Sequence, residues 1–295
     1  MDWRALGLGV AFVAMWSSAF TSARIVVHDA PPFLALSVRF LISGALALAI
    51  GAALGQRLPA GRTQWMAVLV FGLCQNALYL GLNFLAMRTI DASVAVIVAS
   101  LLPLVVAGLA WATLGERLSP LAMAGLAAGF AGVLVIMTAR LGAGADPVAL
   151  ALCVGGVLAL AVATLLVRNA SGSGGLWIIV GLQMLVGAAL LLPVAVLFET
   201  WTVNWTPELL LAFAYTVVFP GLVATMIWFV LVGRIGATRA ATFHFLNPFF
   251  GVAVAALVLD EHVTLRDGVG VAIIMAGILA VQLSRRPPPT PPAPE

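Results

Sequence analysis

The chain has 295 residues, 63% of them hydrophobic and only 8% charged, with a formal net charge of +3. Soluble domains carry about 25% charged residues, so this composition cannot clothe a water-facing surface and the solvent must be largely lipid. All 14 basic residues are arginines, set singly between apolar runs rather than gathered on one face, which excludes a nucleic-acid partner.

A membrane helix needs about 20 mostly apolar residues. Breaks at Gly, Pro and Arg leave ten such runs, near 4–25, 32–54, 63–86, 91–113, 119–139, 147–167, 176–198, 208–233, 238–259 and 267–284. The first could mimic a secretory leader, but its apolar stretch is long enough to span and is read as a retained helix. Cys74 and Cys153 lie inside spans without CxxC spacing, so they are read as small buried hydrophobes; neither metal nor cofactor is expected. The tail 287–295, "PPPTPPAPE", cannot continue a helix and is expected to be exposed, disordered or polyproline-like.

With a cytoplasmic N-terminus, nine arginines fall on the inner side and four on the outer, with Arg39 left inside a span. The positive-inside rule therefore puts both termini in the cytoplasm. A constant offset of 145 maps Pro103 to Pro248, Glu116 to Glu261, Gly125 to Gly270, Gly132 to Gly277 and Arg140 to Arg285. The fold expected is all-α and polytopic: two five-helix units, 1–143 and 144–286, before the tail. Five is odd, so the second unit enters from the opposite face, an inverted-topology repeat suited to alternating access around a midplane site.

The residues "AMWSSAF" at 14–20, Pro32 with Arg39–Phe40, "LLPLVVAGLAWATLGERLSP" and its echo "LNPFFGVAVAALVLDEHVTL" resemble the ten-helix EamA-type exporters of the drug/metabolite transporter superfamily. The resemblance spans the chain up to the tail. The aromatic-bearing core is most similar to the bacterial aromatic amino-acid exporters (YddG type). It implies a 5+5 helical exporter of small metabolites, with a neutral aromatic or hydrophobic amino acid as solute. Two positions depart from the family pattern, where Trp-Gly is Trp16–Ser17 and Gly-Glu is Asp260–Glu261.

The third span, "GLCQNALYLGLNFLAM" at 72–87, carries four polar side chains. On an ideal helix Gln75, Tyr79, Asn83 and Asn76 fall at about 0°, 40°, 80° and 100°, forming one stripe. Facing lipid it would strand each polar group at several kcal/mol, so it must face helices or a cavity. Hydrogen-bonded glue between helices is the bland alternative, at about 0.6 kcal/mol per bond. Trp16 lies near mid-span, where tryptophan is unusual, and Ser17 is beside it. Thr225 and Trp228 are the analogous pair in the eighth span. Aromatic walls with a few polar groups suit an amphipathic solute.

His244 and Asn247 precede Pro248, as Ser100 precedes Pro103; a proline within a helix would release carbonyls for a solute or let the helix bend as a hinge. His244 could titrate, although a neutral hydrogen-bonded imidazole is the commoner state. Arg39 could bind a solute carboxylate, but it is read as a structural charge that snorkels or pairs with an outer-facing carbonyl, and Glu116 and Glu261 as capping and loop-pairing groups. No span holds a central Asp or Glu, so strong proton coupling is not expected. Rival readings are an intramembrane hydrolase using His244 and Ser100, without a supporting motif, a non-transporting structural or sensor subunit, and a carrier of drugs or other metabolites. Gly125, Gly129 and Gly132 face either Gly270 and Gly277 of the same chain or a second copy, leaving monomer and homodimer both open.

Overall fold

The computed structural model describes residues 3–114, 119–142, 144–167, 175–235, 243 and 246–283. Glu116, His244 and the proline tail lie outside them. Among the described residues there are ten helices and no strand. They are α1 (Trp3–Asp29), α2 (Pro32–Ala53), α3 (Arg62–Phe71, continuing through Gly72–Leu80 and Gly81–Ala86), α4 (Ala92–Ala99 and Leu102–Leu114) and α5 (Pro120–Gly142). There follow α6 (Pro147–Val167), α7 (Leu176–Phe198), α8 (Pro207–Thr216, Val217–Val223, Ala224–Ile235), α9 (Asn247–Leu259) and α10 (Leu265–Leu283).

Seven of these stretches are long and apolar enough to cross a membrane: Trp3–Asp29, Pro32–Ala53, Arg62–Ala86, Ala92–Thr113, Pro147–Thr164, Leu176–Phe198 and Pro207–Trp228. Their surfaces are apolar too, with Leu41, Leu69, Leu197 and Leu211 exposed, as lipid contact requires. The helices start where the sequence cannot donate. Pro32, Pro120, Pro147 and Pro207 each open a helix, where a missing N–H costs nothing.

The helix ends are sealed by side chains from other helices. Glu199, just past α7, accepts from the N–H groups of Phe33 and Leu34 at 2.9 and 2.8 Å, closing the start of α2. Gln56, just past α2, returns the favour by accepting from Trp177 N at 2.9 Å at the start of α7. Glu261 accepts from Ala92 N and Ser93 N at 2.7 and 3.0 Å, capping α4 across the bundle. The start of α10 is closed locally, with Asp267 accepting from Thr264 N and Oγ1, both at 2.8 Å. Each satisfies N–H groups that the helix itself leaves without a partner.

Helices α2 and α7 pack along their length, as do α5 and α10. A Cβ on Gly277 would lie 2.6 Å from the Gly125 carbonyl and 2.7 Å from Gly129 N, and one on Gly132 would lie 2.8 Å from the Gly270 carbonyl. The small-residue faces are therefore used within one chain.

Two departures from regular geometry matter. Residues Gly72–Leu80 of α3 and Val217–Val223 of α8 are π-helical, and their starts lie 145 residues apart, the offset that relates Pro103 to Pro248 in the sequence. In α8 the cause is Pro220, whose ring cannot donate and crowds the preceding turn. The second departure is in α4, which breaks after Ala99. Pro103 then sits second in the new segment, and Pro248 sits second in α9. The break falls just before Pro103 and inside Ala92–Thr113, which is membrane-length as one stretch, while Pro248 stands in the first turn of α9.

Candidate functional site

The π stretch of α3 turns its polar residues toward α1, α2, α7 and α8, and the five helices enclose a cavity. Of the residues expected there, Trp16, Gln75, Tyr79, Asn83 and Thr225 line it. The lining also includes Arg39, read in the sequence as a structural charge, Asn76 of the polar stripe, and Met184, Pro220 and Gly221. The cavity is small, about 50 Å³. The walls therefore stand close together.

The aromatic side is layered. Phe12 stacks on Trp16 with centroids 5.7 Å apart and also meets Trp228 at 4.9 Å. Trp228 is thereby a second layer, and it is not among the lining residues. Ser17 is fully buried and donates to Asn247 Oδ1 at 3.4 Å, joining α1 to the start of α9 behind the wall. Ser100 donates to its own helix at Val96 O, 2.7 Å. The structure thus keeps Ser17, Ser100, Trp228 and Asn247 off the cavity surface, because each is engaged in packing or bonds elsewhere.

The polar stripe of α3 divides the same way. Asn76 donates to Gln183 O on α7 at 2.8 Å. Asn83 Nδ2 donates to Tyr79 O at 2.8 Å, where π geometry hands over to α, and its Oδ1 is buried with no partner among the described residues. Exchanging the amide's two ends would oppose two oxygens, so the orientation is fixed by its neighbour.

Arg39 departs most from expectation. It neither snorkels nor pairs: it is 6% exposed, its Nε has no partner among the described residues, and its guanidinium lies 5.7 Å from the Phe40 ring. A charge in mid-membrane costs about 2.5–3.5 kcal/mol, so an unpaired one is a group kept at a cost.

A second, wider cleft of about 570 Å³ lies at the end of the bundle where α1, α3 and α7 finish, lined by His28, Asp29, Arg88, Glu199 and Asn204 among others. Between it and the cavity, Arg24 Nη1 donates to the Met87 carbonyl, tying α1 to α3.

The EamA-like transporter family matches residues 3–138 and 147–283. The chain belongs to this family. The uncharacterized transporter YvbV of Bacillus subtilis (strain 168) is 26% identical over 271 residues, covering 91% of this chain and 88% of that protein. The aromatic amino acid exporter YddG of Ancylobacter novellus is 33% identical over 135 residues, 46% of each chain. A solved crystal structure superposes with a TM-score of 0.68 over 96% of this chain and 98% of that one, at 23% identity, a likeness of fold alone. The EamA-like chain is thus a multi-pass membrane transporter and not an enzyme, which removes the hydrolase reading of Ser100 and His244.

Proposed function

We propose that this EamA-family transporter exports neutral amino acids, aromatic and hydrophobic ones preferred, across a bacterial inner membrane by alternating access. The observation that carries the reading is the mid-span cavity. It sets the Trp16 and Tyr79 rings beside Gln75 and Thr225, an apolar wall with a few polar groups. The partial likeness to an aromatic amino acid exporter favours the same solutes.

Alternating access follows if the two units, 1–143 and 144–286, are inverted copies. Three observations favour this. The π stretches stand at one offset in α3 and α8. Glu199 caps α2 while Gln56 caps α7, a reciprocal pair. Thr89, just after α3, donates to Asp146 at 3.3 Å, so α6 begins at the end of the bundle where α1 finishes. With cytoplasmic termini, the His28–Asn204 cleft is the outer vestibule and the Arg24–Met87 bond is the outer seal. The narrow cavity is then a largely closed state whose walls part to admit a solute. The glycine faces being spent within the chain favours a monomer.

The test is counterflow in proteoliposomes loaded with unlabelled amino acids and cationic dyes. Labelled phenylalanine, tryptophan, threonine or methionine is expected to exchange while the dyes do not. Failure of all four amino acids would contradict the reading. Since no acidic side chain is among the described residues lining the cavity, an imposed pH gradient is expected to change the rate little. A steep dependence that survives His244→Ala would remove both the uncoupled and the histidine-coupled versions.

A further inference from the structure

Two side chains of the cavity carry buried polar atoms without partners, and they are of opposite kinds. Arg39 Nε is a cationic donor on α2, and Asn83 Oδ1 is a neutral acceptor on α3. Buried polar groups are almost always satisfied, so each unsatisfied one calls for an explanation. Both line the same space, and the other cation nearby, Arg24, is already engaged by the Met87 carbonyl. No described residue lining the cavity is acidic.

We propose that Arg39 is the receptor for a solute carboxylate, and that Asn83 Oδ1 takes a donor from the same solute, so that the cavity selects carboxylates and zwitterions and rejects cations. This rests on the cavity being the transport site and adds what its polar ends recognise. A guanidinium matches a carboxylate in plane and charge and forms the stronger, charge-assisted class of hydrogen bond. It is also less strongly hydrated than an ammonium, which suits a dry site. An amine-only solute would meet an uncompensated positive charge with no acid within the lining to offset it. An amino acid would meet Arg39 at its carboxylate and Asn83 Oδ1 at its ammonium, while Trp16 and Tyr79 border the room left for its side chain.

The experiment titrates the thermal unfolding midpoint of purified protein with two charge-graded triplets. The first is phenylalanine, 3-phenylpropionate and phenethylamine; the second is leucine, 4-methylpentanoate and isopentylamine. Ligands that bind the native state raise the midpoint according to affinity. In wild type, the amino acid and the acid are expected to bind at least about tenfold more tightly than the amine, the range of a hydrogen bond to a charged group. Arg39→Gln is expected to erase that ordering, and Asn83→Ala to weaken the amino acid while sparing the acid.

An amine that matches its acid in wild type overturns the proposal, as does an ordering unchanged in folded Arg39→Gln. Should that variant not fold, the wild-type ordering decides alone. If only the aliphatic triplet binds, with acid above amine, the aromatic preference falls and the Arg39 assignment stands. If none of the six binds, both fall.

Discussion

Gln75 and Asn76 are neighbours in sequence with different duties. Both line the cavity, but Asn76 spends its amide on the Gln183 carbonyl, whereas Gln75 makes no such bond among the described residues. Gln75→Ala is therefore expected to raise the half-saturation concentration for flux about fivefold, the worth of one ordinary hydrogen bond, with expression and unfolding midpoint unchanged. Asn76→Ala should do the reverse, lowering the unfolding midpoint by the loss of a bond of about 0.6 kcal/mol while leaving solute preference intact. Unfolding curves and concentration-dependent counterflow on the two variants separate these outcomes. Gln75 and Tyr79 were legible in the sequence because polar groups inside an apolar span must face something wet or polar. Arg39 was ambiguous there, because a snorkelling arginine and a carboxylate-binding one have the same sequence. Only the closed packing around it, at 6% exposure, distinguishes them. Ser17, Ser100 and Trp228 also looked like wall residues. What removed them was tertiary: Ser17 bonds Asn247, 230 residues away, and Phe12 stands against Trp228.

Helix pairs α5–α10 and α3–α8 illustrate how packing and backbone geometry serve the cavity. Gly277 has backbone atoms of α5 within 3.0 Å of where a Cβ would stand, and backbone cannot rotate away. Gly277→Val is expected to prevent stable insertion, exceeding the 1–3 kcal/mol usual for overpacking. Gly108→Ala, which meets nothing within 4 Å, should be silent; membrane-fraction yield and unfolding midpoint report both. The π stretch of α8 has its cause in Pro220, so Pro220→Ala should let the helix regain regular hydrogen bonding and slow exchange of phenylalanine without loss of stability. The ten apolar runs were readable to within a few residues for most helices, because lipid forces length and hydrophobicity together. The π geometry was not readable. It shifts the angular positions assumed for Gln75, Tyr79 and Asn83, and no composition signal marks it in α3. The break after Ala99 lies beside Pro103, the proline at which the sequence placed a hinge or released carbonyls.

The whole molecule is an EamA-family transporter in which caps are traded between helices distant in sequence, Glu199 for α2, Gln56 for α7 and Glu261 for α4. A cysteine placed at Asn204 is expected to react with an impermeant maleimide from outside intact cells, and one at Gln56 only after the membrane is opened. The opposite pattern would reverse the topology and with it the outer seal. The central claim is that one cavity serves both faces of the membrane. Its most direct measurement is mixed-disulfide formation at Gln75→Cys, in a background with Cys74 and Cys153 replaced, by an impermeant thiosulfonate applied to right-side-out and to inside-out vesicles. Labelling from both sides, slowed in each case by phenylalanine or leucine, is the predicted result. Labelling from neither side, or labelling indifferent to every amino acid tried, would contradict it.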